Sequence, residues 1–136
     1  MLEETVNIEG RQIINFVSLS NNDLRTILEW RNHDSVRKWM INSMEISIES
    51  HLGFIEHLRE ANSKSYWMIK LDDLDFGVVY FVDINHEEKT AELGLYLNPE
   101  MLASGLGYEL FYLALQLGFN HLGLQSVYSQ SKVENR

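Results

Sequence analysis

Two consecutive segments decide the fold of this chain, AELGLYLNP at residues 91–99 and LASGLGYEL at residues 102–110. The first is typical of a strand and ends at the only proline, and the second is a short glycine loop that opens a helix at Gly107. A loop at a helix N-terminus presents backbone N–H groups to an anion, and the helix dipole adds partial positive charge. Because Gly105 and Gly107 carry no Cβ, the backbone can approach that anion closely. The two segments therefore predict a phosphate-binding loop.

The spacing of these glycines matches neither of two familiar nucleotide motifs. Leu110 stands where the dinucleotide fingerprint has its third glycine, and no Gly-Lys-Ser/Thr of a Walker loop follows. Gly94, inside the preceding strand, strengthens the prediction, since an interior strand glycine often marks close approach by a ligand or another backbone. A strand with an accessible backbone followed by a phosphate loop suits a long ligand with a peptide-like arm and a pyrophosphate. Coenzyme A is such a ligand.

At these residues the chain resembles the GNAT family of N-acetyltransferases, whose signature is Gln/Arg-x-x-Gly-x-Gly/Ala at the start of the coenzyme-binding helix. Gly105 and Gly107 match the two small positions, whereas Leu102 replaces the usual Gln or Arg, which removes one side chain and leaves the backbone cradle. The resemblance runs from about residue 13 to the last residue. The N-terminal half resembles the branch that acetylates UDP-linked amino sugars in pseudaminic acid synthesis, through WRNH at residues 30–33, VRKWM at 36–40, IS at 46–47 and HLGFI at 51–55.

The resemblance implies an α/β (α+β) fold, with a mixed and mainly antiparallel sheet flanked by helices. It also implies a single N-acetyltransferase domain at residues 1–136. Since the family normally continues with another helix and two strands, we expect the C-terminal end of this domain to be incomplete. The sequence pattern itself predicts strands at residues 12–19, 65–71, 76–84, 91–97 and 124–129.

Three helices are predicted between these strands. Asn21 or Asn22 is expected to cap the first, and Ser47 the second. The third, at residues 107–119, is apolar on almost every side and should be largely buried. The core-facing residues expected on the second helix are Ile48, Leu52 and Ile55.

Composition and charge limit the class of protein. A chain of 136 residues with 45% apolar residues can bury one core of ordinary size. Cysteine is absent and the acidic start has no signal-peptide pattern, which together favour the cytoplasm. The five histidines are not expected to bind a metal without cysteine partners, and no apolar run could span a bilayer. A net charge of −9 argues against nucleic-acid binding, so a polyanionic ligand must be bound by local dipoles and a few cations.

Coenzyme contacts are expected along the strand and the loop that follows it. The pantetheine arm would lie on the backbone of residues 93–97, and the pyrophosphate would lie in the loop. Asn135 resembles the family asparagine that hydrogen-bonds the coenzyme arm. The expected acetyl-CoA contacts are Leu93, Leu95, Leu97, Leu102, Ala103, Ser104, Gly105, Leu106, Gly107 and Asn135.

Glu92 is the candidate catalytic base. It alternates with Ala91 and Leu93 along the strand, so it should point away from the aliphatic face. Direct acetyl transfer needs an amine with a free lone pair, hence a base near the thioester, and the family often has a glutamate here. The alternative is an ordinary surface glutamate on a strand.

Four further residues are candidates for the acceptor site. Arg31 continues an apolar helical stripe, where its guanidinium could cap helix carbonyls or grip a nucleotide phosphate. The resemblance implies that Arg31 and His51 serve the nucleotide, although His51 could also be a solvated helix residue. Met40 and Phe54 would form an apolar wall for the methyl group of a deoxy sugar, or belong to the core.

Three functions stay open on this evidence. The first is acetyl transfer from acetyl-CoA to a UDP-linked amino sugar, and the second is acetylation of protein N-termini, whose basic substrates would suit the acidic surface. The third is a non-catalytic coenzyme-binding module, since the helix that usually supplies a tyrosine proton donor would follow Arg136. A homodimer is expected to cover the strand edge at residues 124–129. Serine and cysteine hydrolases lack support, because the chain has no G-x-S-x-G elbow and no cysteine.

Overall fold

The computed structural model describes residues 5–37, 46–71, 74–101 and 107–129, and within them the chain forms six strands and four α-helices. The strands are β1 (Thr5–Ile8), β2 (Arg11–Asn15), β3 (Ser65–Leu71), β4 (Leu74–Asn85), β5 (Thr90–Leu97) and β6 (Ser126–Tyr128). The helices are α1 (Asn21–Asn32), α2 (Asp34–Arg37), α3 (Ile48–Leu58) and α4 (Gly107–Gln116), and α4 continues into a π-helical turn at Leu117–His121.

All six strands join one sheet in the order in which they occur along the chain. Neighbours are antiparallel except β5 and β6, which run parallel and are connected through α4. The predicted mixed, mainly antiparallel sheet flanked by helices is therefore confirmed. β6 pairs only with Thr90, Ala91 and Glu92, so within the described residues no strand lies beside the rest of β5 on that side.

The two faces of the sheet bury different side chains. The face under α4 buries Ile13, Trp67, Ile69, Phe76, Val79, Phe81, Ala91, Leu93, Leu110, Leu113, Ala114, Leu117 and Leu124, with Leu95 and Leu97 packed against them. The face under α1 and α3 buries Phe16, Ile27, Trp30, Ile55, Leu58, Met68 and Val78. Three tyrosines from neighbouring strands, Tyr66, Tyr80 and Tyr96, pack on this second face, which we call the tyrosine face.

Polar side chains fix the boundaries of the first elements. Ser20, one residue earlier than expected, caps α1, because its Oγ accepts a hydrogen bond from the Asp23 N–H at 3.2 Å. β2 ends at Asn15, short of the predicted residue 19, because Asn15 Oδ1 accepts from the Val17 N–H at 3.1 Å and starts a 3-10 turn. The local hydrogen bonds of a few side chains therefore override the apolar run that favoured a longer strand.

The buried stripe of α3 differs from the predicted one. The predicted cap, Ser47, is confirmed, but Ile48 and Leu52 are 44% and 48% exposed. The expectation that they face the core is therefore wrong, and the buried residues of the helix are His51, Ile55 and Leu58. A histidine can occupy a core position when both of its ring nitrogens have hydrogen-bond partners.

α4 buries only the side that contacts the sheet. Leu110, Leu113 and Ala114 are buried, whereas Tyr108 is 89% exposed and Phe111 47% exposed. The prediction of a largely buried helix is therefore wrong, since a helix on one side of a sheet buries one stripe. The side of α4 that faces away from the sheet leaves Tyr108, Phe111 and Tyr112 exposed.

α1 is anchored to the sheet at its first turn. Lys70 Nζ, on β3, lies 2.9 Å from Asp23 Oδ1 of α1 and 3.2 Å from Asp75 Oδ1 of β4. Burial lowers the pKa of Lys70, but the hydrogen bonds and negative charges of the two aspartates outweigh burial and raise that pKa overall. The lysine stays charged and joins three elements, which fixes the helix that carries Arg31.

Candidate active site

Arg31 and His51 meet between α1 and α3. Arg31 Nη1 lies 3.0 Å from His51 Nδ1, and His51 Nε2 lies 2.8 Å from the Leu24 carbonyl oxygen. A guanidinium can only donate hydrogen bonds and a carbonyl can only accept them. These two partners therefore assign His51 as a neutral imidazole with its proton on Nε2.

The surroundings of His51 keep it in that neutral form. The ring is fully buried, and burial lowers its pKa, as does the nearby Arg31 charge, against an opposing effect of the hydrogen bond to Leu24. Both ring nitrogens are already hydrogen-bonded. His51 is thus neither a solvated helix residue nor an open donor for a ligand in this structure.

Arg31 lies at one end of an aromatic ladder on the tyrosine face. Its Cζ is 4.8 Å from the centroid of the Phe54 ring, in cation–π contact. Phe54 meets Tyr66 edge to face at 4.9 Å, and Tyr66 stacks on Tyr80 at 4.8 Å. Burial, with a smaller effect of Tyr80, raises the pKa of Tyr66 to about 12, so its hydroxyl stays protonated.

In the part of the chain that the structure describes, the charge of Arg31 is not neutralised by an acidic side chain. Within residues 5–37, 46–71, 74–101 and 107–129, no carboxylate forms an ion pair with it. A half-buried guanidinium with a neutral acceptor, an aromatic face and no carboxylate partner among the described residues can donate hydrogen bonds to an anionic ligand.

Glu92 lies on the tyrosine face, at the last residue pair between β5 and β6. It alternates along β5 with residues of the α4 face, as predicted, and it is half-buried. Its negative charge reaches Tyr80, whose pKa is raised by burial first and by Glu92 second. It is also the last residue of β5 that pairs with β6. The candidate base thus lies where, among the described residues, strand pairing on one side of β5 ends.

Gly94 makes room for an aromatic ring of the adjacent strand. It lies opposite Tyr80 in the register of β4 and β5, and a Cβ added to it would overlap the Tyr80 ring. A close neighbour of this glycine is therefore an aromatic side chain of the adjacent strand. Three tyrosines on one face of neighbouring strands went unrecognised in the sequence, although the register Tyr66–Tyr80–Gly94 brings two of them together over the glycine.

Within the described residues, no strand pairs with the part of β5 that is expected to hold the pantetheine arm. Residues 93–97 of β5 extend past β6, and edge backbone groups of this kind can pair with amides of a ligand. Asn98 ends the strand: its Nδ2 donates to the Asp75 carbonyl at 2.8 Å and its Oδ1 accepts from the Glu100 N–H at 3.0 Å. Gly107 opens α4 as predicted.

Several expected site residues lie outside the described residues. These are Met40, Leu102, Ala103, Ser104, Gly105, Leu106 and Asn135. The described residues contain no group of three histidine, aspartate or glutamate side chains that could hold a metal ion. They also contain no helix long and apolar enough to cross a membrane.

Comparison with known proteins gives the class of this chain, an acetyl-CoA-dependent N-acetyltransferase. A family model described as an acetyltransferase (GNAT) domain matches residues 14–136. The chain therefore belongs to the GNAT acetyltransferase family, as the sequence motifs predicted.

Individual relatives narrow the comparison. The acetyltransferase PseH of Campylobacter jejuni strain 81-176 is 30% identical over 122 residues, which are 90% of this chain and 74% of PseH. The crystal structure of C. jejuni PseH with acetyl coenzyme A superposes with a TM-score of 0.73 at 26% identity, over 92% of this chain and 79% of that one. The spermidine N(1)-acetyltransferase of Escherichia coli K12 is 29% identical over 118 residues, which are 86% of this chain and 63% of that enzyme.

Proposed function

We propose that this protein transfers the acetyl group of acetyl-CoA to the amine of a UDP-linked amino-deoxy sugar, with Glu92 as the base. The observation that carries the proposal is Arg31, a half-buried cation without a carboxylate partner in the described residues, held on the same sheet face as Glu92. The likeness to PseH supports the same acceptor class.

The proposed reaction needs a base for the acceptor amine and a binding site for acetyl-CoA. Glu92 would take a proton from the acceptor ammonium, directly or through water, and the free amine would attack the thioester carbonyl. A C–N bond then forms, the C–S bond breaks, and the leaving thiolate takes up a proton. Acetyl-CoA would lie with its pantetheine amides on residues 93–97 and its pyrophosphate at residues 102–107, where the N-terminus of α4 supplies partial positive charge.

Arg31 favours a nucleotide over a polycation as the acceptor. Its guanidinium would attract a pyrophosphate and hold it in bidentate fashion, and it would repel an ammonium group of a polyamine. Phe54, under the guanidinium, adds an apolar surface beside the sugar, the role also proposed for Met40. In this arrangement His51 contributes through Arg31.

A polyamine is the second candidate acceptor. The relative from E. coli is a spermidine acetyltransferase, and a net charge of −9 would attract a polycation. The acidic surface would equally suit the N-terminus of a basic protein.

A ligand panel separates these acceptors. Acetyl-CoA, UDP, a UDP-4-amino sugar, spermidine and an alanine-terminated basic peptide would each be tested by thermal shift and by release of free thiol. A ligand at a hundred times its Kd should add about 2.7 kcal/mol to the free energy of unfolding. We expect stabilisation by acetyl-CoA, UDP and the UDP-sugar, and thiol release with the UDP-sugar alone. Thiol release with spermidine or the peptide only would contradict the proposed acceptor.

We also propose that residues 1–136 act as one domain in the cytoplasm and associate as a homodimer through β6. The outer side of β6 has no strand partner in the described part of the sheet, and Tyr128 on it is 48% exposed. Sedimentation equilibrium should show a dimer that Tyr128→Lys weakens. A wild-type monomer at all concentrations would contradict this assembly.

A further inference from the structure

The contact between His51 and Arg31 has a feature that a simple binding pair would not need. His51 uses Nε2 to donate to the Leu24 carbonyl of α1 and Nδ1 to accept from Arg31, which is also on α1. The imidazole of α3 is therefore inserted between a backbone group early in α1 and the side chain in its last turn. Because the ring is fully buried, neither nitrogen is open to solvent or to a ligand.

We infer that His51 is a positioning residue: its neutral Nε2–H form holds Arg31 for the acceptor phosphate and does not itself touch the acceptor. The phosphate part of this inference rests on the proposed function. The hydrogen-bond chain Leu24–His51–Arg31 does not depend on it.

Two contacts restrict the guanidinium. The His51 Nδ1 atom accepts from Arg31 Nη1 at 3.0 Å, and the centroid of the Phe54 ring lies 4.8 Å from Arg31 Cζ. An arginine that is already ordered before binding does not lose rotamer freedom when the anion arrives. The guanidinium N–H groups of Arg31 that do not contact His51 can then donate to an anion in the proposed acceptor site.

The tautomer of His51 determines which ring nitrogen can accept a hydrogen bond from Arg31. Nδ1 without a proton accepts from Arg31, and a proton on Nδ1 would place two donors against each other. The Nε2–H bond to Leu24 keeps the proton away from Nδ1, as a second hydrogen bond on a histidine generally does. Each ring nitrogen therefore makes a different hydrogen bond, and a suitable substitution can remove one of the two bonds and keep the other.

The experiment compares His51→Asn with His51→Gln. Asparagine places its amide near the position of Nδ1, so its oxygen can still accept from Arg31, whereas the link to Leu24 is lost. Glutamine reaches the position of Nε2, so it can still donate to Leu24, whereas Arg31 loses its acceptor. UDP is the probe of the phosphate site, measured by calorimetry on the full chain, and acetyl-CoA is the control ligand.

We expect His51→Gln to bind UDP about threefold to tenfold more weakly than the wild type, the range expected from freeing one flexible side chain. His51→Asn should stay within about twofold, a range well below one tenfold step in affinity. Acetyl-CoA affinity should not change in either variant. A purely structural role would give the opposite order or make UDP affinity follow thermal stability, and that result would overturn the inference.

Nuclear magnetic resonance of the free protein tests the structural part without any acceptor. The ¹⁵N resonances of His51 should show a protonated Nε2 and an unprotonated Nδ1. The Arg31 side-chain N–H signals should exchange more slowly in the wild type and in His51→Asn than in His51→Gln. Absence of this pattern overturns the inference even if UDP binds. Conversely, if the pattern is present and UDP does not bind, the proposed acceptor fails while the positioning of Arg31 by His51 stands.

Discussion

Arg31 has one nitrogen acceptor, one aromatic face and no carboxylate partner among the described residues. Lysine would keep its positive charge but lose the planar fork that holds a phosphate through two hydrogen bonds. We expect Arg31→Lys to weaken UDP-sugar binding about tenfold or more, with acetyl-CoA affinity unchanged in calorimetry. Arg25→Lys, at an exposed position of the same helix, is the matched control. Equal sugar affinity in the two variants would leave Arg31 with a helix-capping role only.

Gly94 is required by the ring that covers it. A methyl group at this position would overlap Tyr80, so Gly94→Ala should lower the free energy of unfolding by about 1–3 kcal/mol, the usual cost of overpacking. Truncating the ring in Tyr80→Ala should make the same substitution nearly neutral. Urea denaturation of the two single variants and the double variant measures this coupling. Additive effects would show that the glycine has some other purpose.

At the residue scale, the candidate site residues could be predicted from the sequence, but the residues that surround them in the fold could not. Arg31 and Glu92 could be selected because a cation in an apolar stripe and a glutamate on a strand are chemically unusual or useful. The neighbour of Gly94 could not be selected, because it depends on the register between β4 and β5. The burial of His51 depends likewise on a carbonyl of another helix.

At the scale of elements, strands were predicted better than helix faces. β3 has the predicted bounds, and β5 begins one residue earlier than predicted. The predicted buried face of α3 was wrong by one position, because His51 was treated as a polar surface residue and Leu52 as a core residue. The burial of α4 was overestimated, because an apolar composition does not show how many other elements pack against a helix.

The start of α4 can be tested with one glycine substitution. Gly107→Val should abolish acetyl-CoA binding, because a branched side chain would enter the proposed phosphate cradle at the helix N-terminus. The fold should persist, since a Cβ at Gly107 meets no described atom within 4 Å. Gly53→Val, at a position of α3 that is equally open, is the control and should bind acetyl-CoA normally. Normal coenzyme affinity in the Gly107 variant would contradict the placement of the pyrophosphate.

At the scale of the whole molecule, the half-buried Tyr66 should make the stability of the fold depend on pH in the alkaline range. The pKa of Tyr66 is raised by burial to about 12 in the folded chain, against about 10 when unfolded. A group whose folded pKa is the higher one stabilises the fold fully below its unfolded pKa and loses this contribution as the pH rises through the folded value. Stability should therefore fall between about pH 10 and 12, by up to about 3 kcal/mol from this tyrosine.

Denaturation at several alkaline pH values checks this expectation. Tyr66→Phe removes the titrating hydroxyl and keeps the ring, so its unfolding free energy should decline less steeply than that of the wild type over the same interval. Tyr108→Phe, at an 89% exposed tyrosine, should decline as the wild type does. Equal slopes for all three proteins would mean that Tyr66 does not carry the alkaline transition.

The order of the strands along the chain also has a kinetic consequence. From β3 to β5 each strand pairs with its neighbour in sequence through a short turn, so these contacts close small loops and can form early. β6 joins the sheet only after the whole of α4 has been spanned, and it is held by three residue pairs. Its amides should be the first of the sheet to exchange with deuterium in the native protein. The pairing beside Glu92 should thus form late in folding, and a ligand bound there would select molecules in which β6 has docked.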